Sequence, residues 1–304
     1  MRDDRPAAPS GILLVDKPGG MTSHDVVARA RKALGTRKIG HAGTLDPMAT
    51  GLLVLGVGPA TRLLTYLVGL DKTYLATIRL GAATDTDDAE GEVTATAGEG
   101  LVAAVTDAAI AAGIAQLTGD ISQVPSTVSA IKVDGRRAYD RARAGEEVVL
   151  KARAVTVSRF DVLAARRTEH LIELDVVVDC TSGTYIRALA RDLGAALGVG
   201  GHLSALRRTR IGDFDVAEAV PADAMDAGGL LDAAVVAARV MTRLDVDEDQ
   251  ARDLRHGKRL LGAGTLAGRG HLAAVDPAGR LVGILERRGA DLKSAMNMPP
   301  EESE

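Results

Sequence analysis

The chain has 304 residues, 46% of them hydrophobic and 26% charged, with a formal net charge of −4. That balance supplies apolar material for a sizeable core and excludes disorder throughout. It also excludes a bulk positive field, so an anionic partner has to be held by local patches.

Ser10 to Asp16 reads as a short apolar strand, stopped by Lys17-Pro18-Gly19-Gly20. Thr22, Ser23 and Asp25 then open a helix running to about Leu34, with Val26, Val27, Ala30 and Leu34 at helical spacing. Its bases Arg29, Arg31 and Lys32 point in other directions, as on a solvated face. A glycine-broken loop, Arg37 to Pro47, leads into a strand over Gly51 to Val57 and a helical segment over Ala60 to Val68. Tyr74, Ala76 and Ile78 alternate with more polar residues across Lys72 to Leu80, which predicts a strand.

Gly81 to Asp120 carries eight acidic residues and no Lys or Arg, so it should avoid a polyanion. Ile121 to Arg210 has fifteen bases against ten acids and is where such a partner would be met. Within it, Thr127 to Val133 reads as a strand and Arg136 to Arg143 as a basic helix. Strands dominate Glu147 to Cys180, a helix runs from about Tyr185 to Leu197, and a strand covers Leu203 to Ile211. A helical region ends near Arg243, Asp247 to Arg255 looks helical, and a hairpin turns about Asp276-Pro277-Ala278-Gly279. The tail from Pro299 to Glu304 reads as disordered.

Long strands among helices of uneven length predict an α+β fold with a mixed, largely antiparallel sheet. The main domain is placed at 1–240 and a small α/β-containing unit with the tail at 241–304. One cysteine, Cys180, cannot form an internal disulfide, and MRDDRPAAPS lacks a secretory signal's pattern, which points to the cytoplasm. Apolar segments such as Leu52 to Val57 fall short of the roughly 20 residues of a membrane span. A monomer is the default expectation.

Three motif readings fail. Gly56-Val57-Gly58-Pro59-Ala60-Thr61 has threonine for the third glycine of a dinucleotide turn, and Asp85 to Gly91 has Ala89 and Glu90 where a calcium loop needs a ligand and a glycine. The six histidines and one thiol show no zinc spacing. Asp46-Pro47 alone is a turn.

Its surroundings change that reading. The block Arg37 to Leu53, with Gly40-His41-Ala42-Gly43-Thr44-Leu45-Asp46-Pro47 at its centre, resembles the active-site signature of the TruB family of tRNA pseudouridine-55 synthases. So do Gly11 to Pro18 with Met21-Thr22-Ser23, Lys72-Thr73-Tyr74 with Leu80-Gly81 and Thr84 to Asp87, and Gly183 to Arg187 with Leu189 to Gly194. Their order and spacing match the family across roughly Gly11 to Arg210; Met48 replaces an expected leucine at similar volume.

The resemblance implies the pseudouridine synthase fold and an isomerase needing no cofactor and no metal. It would cleave the N1 to C1′ bond of a uridine in the tRNA T-arm loop and rejoin the base through C5. Asp46 corresponds to the catalytic carboxylate, acting at C1′, at C2′ or on the ring; each requires an ionised carboxylate beside the glycosidic bond. Arg187 is its implied partner, since a guanidinium offsets the carboxylate's desolvation and orients it.

Tyr74 resembles the ring that packs on the extruded base, with Tyr185 and Leu206 lining the pocket. His41 resembles the residue that fills the stack the base leaves. Lys17, Arg37, Lys38, Lys132, Arg136, Arg137, Arg141, Arg143 and Arg208 are candidate phosphate contacts. By position, the C-terminal unit resembles the family's RNA-binding appendage, often a PUA domain. The competing expectation is a tRNA-binding or RNA-folding module with secondary or no catalysis, which would not need an acid and a guanidinium meeting in a pocket.

Overall fold

The computed structural model describes residues 9–126, 150–268 and 270–299, and the backbone alone of 132–133 and 136–137. In chain order the elements are β1 (Gly11–Lys17), α1 (Ser23–Ala33), β2 (Ile39–His41), β3 (Thr50–Val57), β4 (Lys72–Leu80), β5 (Ala82–Thr84) and β6 (Val93–Thr96). Then come α2 (Asp107–Gln116), β7 (Gly119–Gln123), β8 (Lys132–Val133), β9 (Arg136–Arg137), β10 (Arg153–Arg167), β11 (Ile172–Cys180), α3 (Ile186–Ala196) and β12 (Gly201–Ile211). The remainder comprises β13 (Phe214–Asp215), β14 (Val220–Pro221), α4 (Ala233–Val240), β15 (Thr242–Asp245), α5 (Glu248–Arg255), β16 (Leu272–Val275), β17 (Leu281–Arg288) and β18 (Asp291–Asn297). Contacts group these into two units, one of residues 1–45, 52–68 and 212–304, the other of residues 46–51 and 69–211.

In the first unit β1 pairs in parallel with β14, and β2 pairs antiparallel with β3. Helix α1 starts where the sequence places it. The Thr22 hydroxyl accepts from the Asp25 N–H, and the Asp25 carboxylate accepts from the Thr22 hydroxyl at 2.7 Å and the Thr22 N–H at 2.8 Å; the two bonds to the carboxylate, the hydroxyl's first, hold the Asp25 carboxyl below its usual range. At the C-terminal end, β15, β16, β17 and β18 form a four-stranded sheet, parallel in its first pair and antiparallel thereafter. Its own core contains Leu254 of α5 with Leu272, Val282, Leu285 and Leu292.

The second unit is built on antiparallel strands in the order β12-β4-β11-β10-β7. The period-two pattern read in β4 is realised in its alternation of buried and half-exposed residues. Helix α3 buries Ile186, Arg187, Leu189, Ala190 and Leu193, a face that includes one charged residue. The acidic stretch Gly81 to Asp120 contains α2, whose Ala-rich sequence has little amphipathic contrast, with Thr106 as its side-chain N-cap.

The expected basic helix over Arg136 to Arg143 is corrected at its start: Arg136–Arg137 is a strand pairing with Lys132–Val133. The rest of that expectation lies outside the described residues, as does the tail beyond residue 299. The segment read as a helix over Ala60 to Val68 is a 3₁₀ run, Gly58–Leu63, followed by one α turn, Leu64–Leu67.

One contact places the loop that matters most. The first residues of β3, Thr50 and Gly51, pair in parallel with Arg207 and Arg208 of β12. Gly51 has φ +99°, and a Cβ there would lie 2.2 Å from the Arg208 carbonyl oxygen. Only glycine allows both the dihedral and the approach. Gly51→Ala should therefore destabilise the protein by about 2 kcal/mol or more, measured as a lower urea midpoint at unchanged slope; an unchanged midpoint would show the strands approach less closely.

Candidate active site

The residue before Asp46 is fixed by one hydroxyl used twice. Ser23 Oγ accepts from the Leu45 N–H at 2.9 Å and donates to the Leu45 carbonyl at 3.1 Å. The Asp46 carbonyl accepts from the Ala49 N–H at 3.1 Å, turning the chain towards β3. The Asp46 side chain, about a third exposed, is left facing outward from this turn.

Across the second unit, Arg187 reaches it from the first turn of α3. Its Nη2 lies 2.9 Å from Asp46 Oδ2, and its Nη1 lies 3.3 Å from Asp88 Oδ2 and donates to the Thr86 carbonyl at 2.9 Å. The Arg187 side chain is only 4% exposed. A buried guanidinium needs compensation, and here two carboxylates and a carbonyl provide it. Asp88 is itself buried, with Oδ1 accepting from the Thr86 hydroxyl at 2.6 Å and the Glu90 N–H at 3.1 Å.

Asp87 adopts φ +61°, the one non-glycine residue in that region among those described. This conformation sets two adjacent carboxylates on different partners: Asp88 on Arg187, and Asp87 on Arg191 Nη1 at 3.1 Å. Asp tolerates such a backbone better than most residues. Burial pushes the Asp87 carboxyl above its usual value, against the pull of Arg191 and Arg187.

One face of the central strands completes the site. Tyr74 of β4 lies opposite Arg208 of β12 and Val178 of β11, and Ala76 lies opposite Leu206 and Val176. Tyr74 and Leu206 are thus same-face neighbours, both buried. Burial pushes the Tyr74 phenol up; a hydrogen bond and the charge of Arg208 act the other way, and the charge of Asp46 adds to the rise. The phenol is therefore set among the carboxylate, the buried guanidinium and apolar walls. Further along this face Lys72 pairs with Cys180. Burial, with Arg208 nearby, brings the Lys72 ammonium down to about 8, and burial pushes the Cys180 thiol up to about 11.

Of the residues expected at the site, Asp46, Arg187, Tyr74, Leu206 and Tyr185 all belong to the second unit. Tyr185 is the N-cap residue of α3, its backbone held by Gln123. Two phosphate candidates are corrected. Lys17 is fully buried, donating to the carbonyls of Pro18 at 3.0 Å and Met21 at 2.6 Å. Arg208 is 1% exposed and bonded to Tyr74. Neither head group is presented to a polyanion.

Arg37 and Lys38 are exposed, and His41 is half-buried with its ring edge-on to His24 at 5.6 Å between centroids; these belong to the first unit. The side chains of Lys132, Arg136 and Arg137, and all of Arg141 and Arg143, lie outside the described residues. Asp88 and Gln123 were not singled out from sequence. Asp88 directly follows the Thr84 to Asp87 block, but sequence carries no mark of which acid in the run would turn inward.

Among the described residues no three or more His, Cys, Asp or Glu side chains are grouped to hold a metal ion, and no helix is long and apolar enough to cross a membrane.

The fold is similar to that of a solved Cbf5–Nop10–Gar1 complex, with TM-score 0.70 and 23% identity over 98% of this chain and 88% of that one. It is also similar to an H/ACA RNP bound to a substrate RNA containing 2′-deoxyuridine, with TM-score 0.68 and 22% identity over 96% and 86% of the two chains. The class defined is thus an α+β protein of the fold shared by these chains. Residues 31–186 match the profile of the TruB family pseudouridylate synthase N-terminal domain. Residues 187–239 match the tRNA pseudouridylate synthase B C-terminal domain, and residues 241–299 the tRNA pseudouridine synthase II C-terminal profile.

The chain belongs to the TruB family. It is 60% identical over 295 residues to the tRNA pseudouridine synthase B of Leifsonia xyli subsp. xyli, covering 96% of this chain and 98% of that protein. Proteins of the same name from Corynebacterium aurimucosum and Nocardia farcinica are 55% and 59% identical, covering 97% and 92% of this chain and 98% and 90% of theirs.

Two outcomes follow from the burial around the site. At pH 8 the native Cys180 thiol should react with iodoacetamide about a hundredfold or more slower than in urea, with native labelling rising as the pH approaches 11. Comparable rates in both states would place the thiol in contact with solvent. Asp88→Ala removes the buried carboxylate of Arg187 and should lower unfolding stability by about 3 kcal/mol; a loss below 1 kcal/mol would show that the remaining partners of Arg187, Asp46 and the Thr86 carbonyl among them, suffice.

Proposed function

We propose that this chain converts uridine to pseudouridine at position 55 of the tRNA T-arm loop, and that Asp46 is its catalytic carboxylate. The observation that carries this reading is the charge-assisted contact of a partly exposed Asp46 with a buried Arg187, beside Tyr74 and Leu206. A module that only binds or refolds RNA has no need of that arrangement.

The reaction is an isomerisation. The bond from N1 to C1′ breaks, the bond from C5 to C1′ forms, the C5 proton leaves to solvent, and N1 gains a proton. Nothing is oxidised or reduced. The target nucleotide has to leave the loop stack before a side chain can reach its sugar, so unstacking must be offset by contacts to the extruded base. In this reading Tyr74 gives the base a flat face and a hydroxyl, Leu206 and Tyr185 close the apolar walls, and Arg187 fixes the direction of the Asp46 carboxylate. The carboxylate then acts at C1′, at C2′ or on the ring.

His41 fills the space left in the loop, and Arg37 and Lys38 contact phosphates, with Lys132, Arg136, Arg137, Arg141 and Arg143 extending that contact. Residues 1–240 carry the chemistry, and 241–304 form an RNA-binding, PUA-like appendage. The protein acts in the cytoplasm as a monomer.

Release of tritium from C5-labelled uridine in a T-arm stem-loop tests this. The wild-type protein should release it, and Asp46→Asn should lose at least about a thousandfold in rate while retaining RNA binding. Equal release by both would remove Asp46 from the chemistry. Tight binding with no release by the wild type would favour the RNA-folding alternative.

A further inference from the structure

Arg187 can orient Asp46 only if the first turn of α3 is itself held, and that turn lacks the usual device: its N-cap, Tyr185, makes no side-chain capping bond. The holding contact comes from elsewhere. Gln123, the last residue of β7, is 2% exposed, and its side-chain amide faces the Tyr185 backbone. The Tyr185 N–H donates to Gln123 Oε1 at 2.8 Å, and Gln123 Nε2 donates to the Tyr185 carbonyl at 3.0 Å. One amide thus pairs with both polar groups of one residue, as a neighbouring strand would. That carbonyl also accepts the helical bond from the Leu189 N–H.

A second tie lies nearly two turns on. Arg191 Nη2 donates to the carbonyl of Val124, which follows Gln123, while its Nη1 meets Asp87. The segment 123–124 therefore holds α3 at Tyr185 and at Arg191, on either side of Arg187 in sequence. Because the Gln123 amide is two-ended, it fixes both the position and the rotation of the Tyr185 peptide groups. Arg187 lies two residues beyond, and a displacement of about 1 Å at a reacting group is enough to cost a large factor in rate.

We infer that Gln123 is a positioning residue for the isomerisation, setting the place of Tyr185 in the pocket and of Arg187 against Asp46 through its paired bonds to the Tyr185 backbone. The side-chain chemistry admits few substitutes. Asparagine is one methylene short. An ionised glutamate accepts from the N–H but cannot donate to the carbonyl, and it sets a buried negative charge against that oxygen. A protonated glutamic acid, by contrast, again offers one donor and one acceptor in nearly the same shape.

This inference rests on the function proposed above, and the experiment separates the two. Single-turnover isomerisation of a T-arm stem-loop is measured for the full chain as wild type, Gln123→Glu and Gln123→Met, from pH 5.5 to 8.5, beside RNA affinity and thermal unfolding. An inactive wild type would refute the functional reading itself. With an active wild type, both variants should be slower at pH 8 by about tenfold or more with affinity within about twofold. The Gln123→Glu deficit, relative to wild type, should shrink as the pH falls and the acid protonates, whereas the Gln123→Met deficit should stay constant.

That pH-dependent recovery is what a purely structural amide would not produce in molecules that are folded at both ends of the range. If Gln123→Glu does not fold, Gln123→Met carries the rate comparison alone. Rates within twofold of wild type for the folded variants, a pH-independent Gln123→Glu deficit, or a loss that appears wholly in RNA affinity would each overturn the assignment.

Discussion

The buried guanidinium of Arg187 is the constraint on which the site depends. A charge with 4% exposure is tolerated only where fixed partners replace water. Asp88, equally buried, supplies the permanent partner, and Asp46, about a third exposed, supplies the one that can also face outward. This inequality of exposure matters: the inner carboxylate neutralises, which leaves the outer one oriented by Arg187 yet accessible. Were both carboxylates buried, the pair would be a structural ion pair and nothing more.

Keeping Asp88 in that place requires a backbone that most sequences avoid. Asp87 takes φ +61°, and the conformation is retained because its neighbours over-determine it. The Asp87 carboxylate meets Arg191, its carbonyl accepts from the Leu203 N–H at 3.0 Å, and the Thr84 hydroxyl donates to the Asp88 carbonyl at 2.8 Å. The loop is thus tied to α3 and to β12, the two elements that carry Arg187 and Leu206. A local distortion is sustained by long-range contacts, as expected where geometry serves function.

This also explains what could be read in advance. The strands β1, β3, β4, β10, β11 and β12 and the helices α1 and α3 announce themselves by continuous apolar runs or apolar period and by turn or cap residues, because local rules suffice for them. Asp46 and Arg187 were legible through the motifs around them. Asp88 was not, since its inward turn depends on a left-handed residue before it and on partners about a hundred residues away. Nor was Gln123, which looks like any polar strand-end residue until Tyr185 is set opposite. The 3₁₀ run over Gly58–Leu63 reads as α-helix in the sequence because the two share an apolar spacing over so short a span.

The reassignment of Lys17 and Arg208 carries a wider point about charge. Both are Lys or Arg residues in or near signature blocks, and electrostatics alone would send them to phosphates. Arg208 instead lies against Tyr74 on the inner face of the sheet, where its hydrogen bond and charge act on the phenol. Lys17 ties Pro18 and Met21 immediately before α1. A buried cation bonded to carbonyls or to a phenol holds chain segments at fixed separations, which a phosphate contact on a mobile surface side chain does not. In a chain of net charge −4, then, part of the positive charge serves geometry inside, and the positive charge presented to solvent is that of exposed bases such as Arg37 and Lys38. Such a division withdraws buried cations from the field the protein presents to solvent, so that a count of Lys and Arg overstates the positive surface.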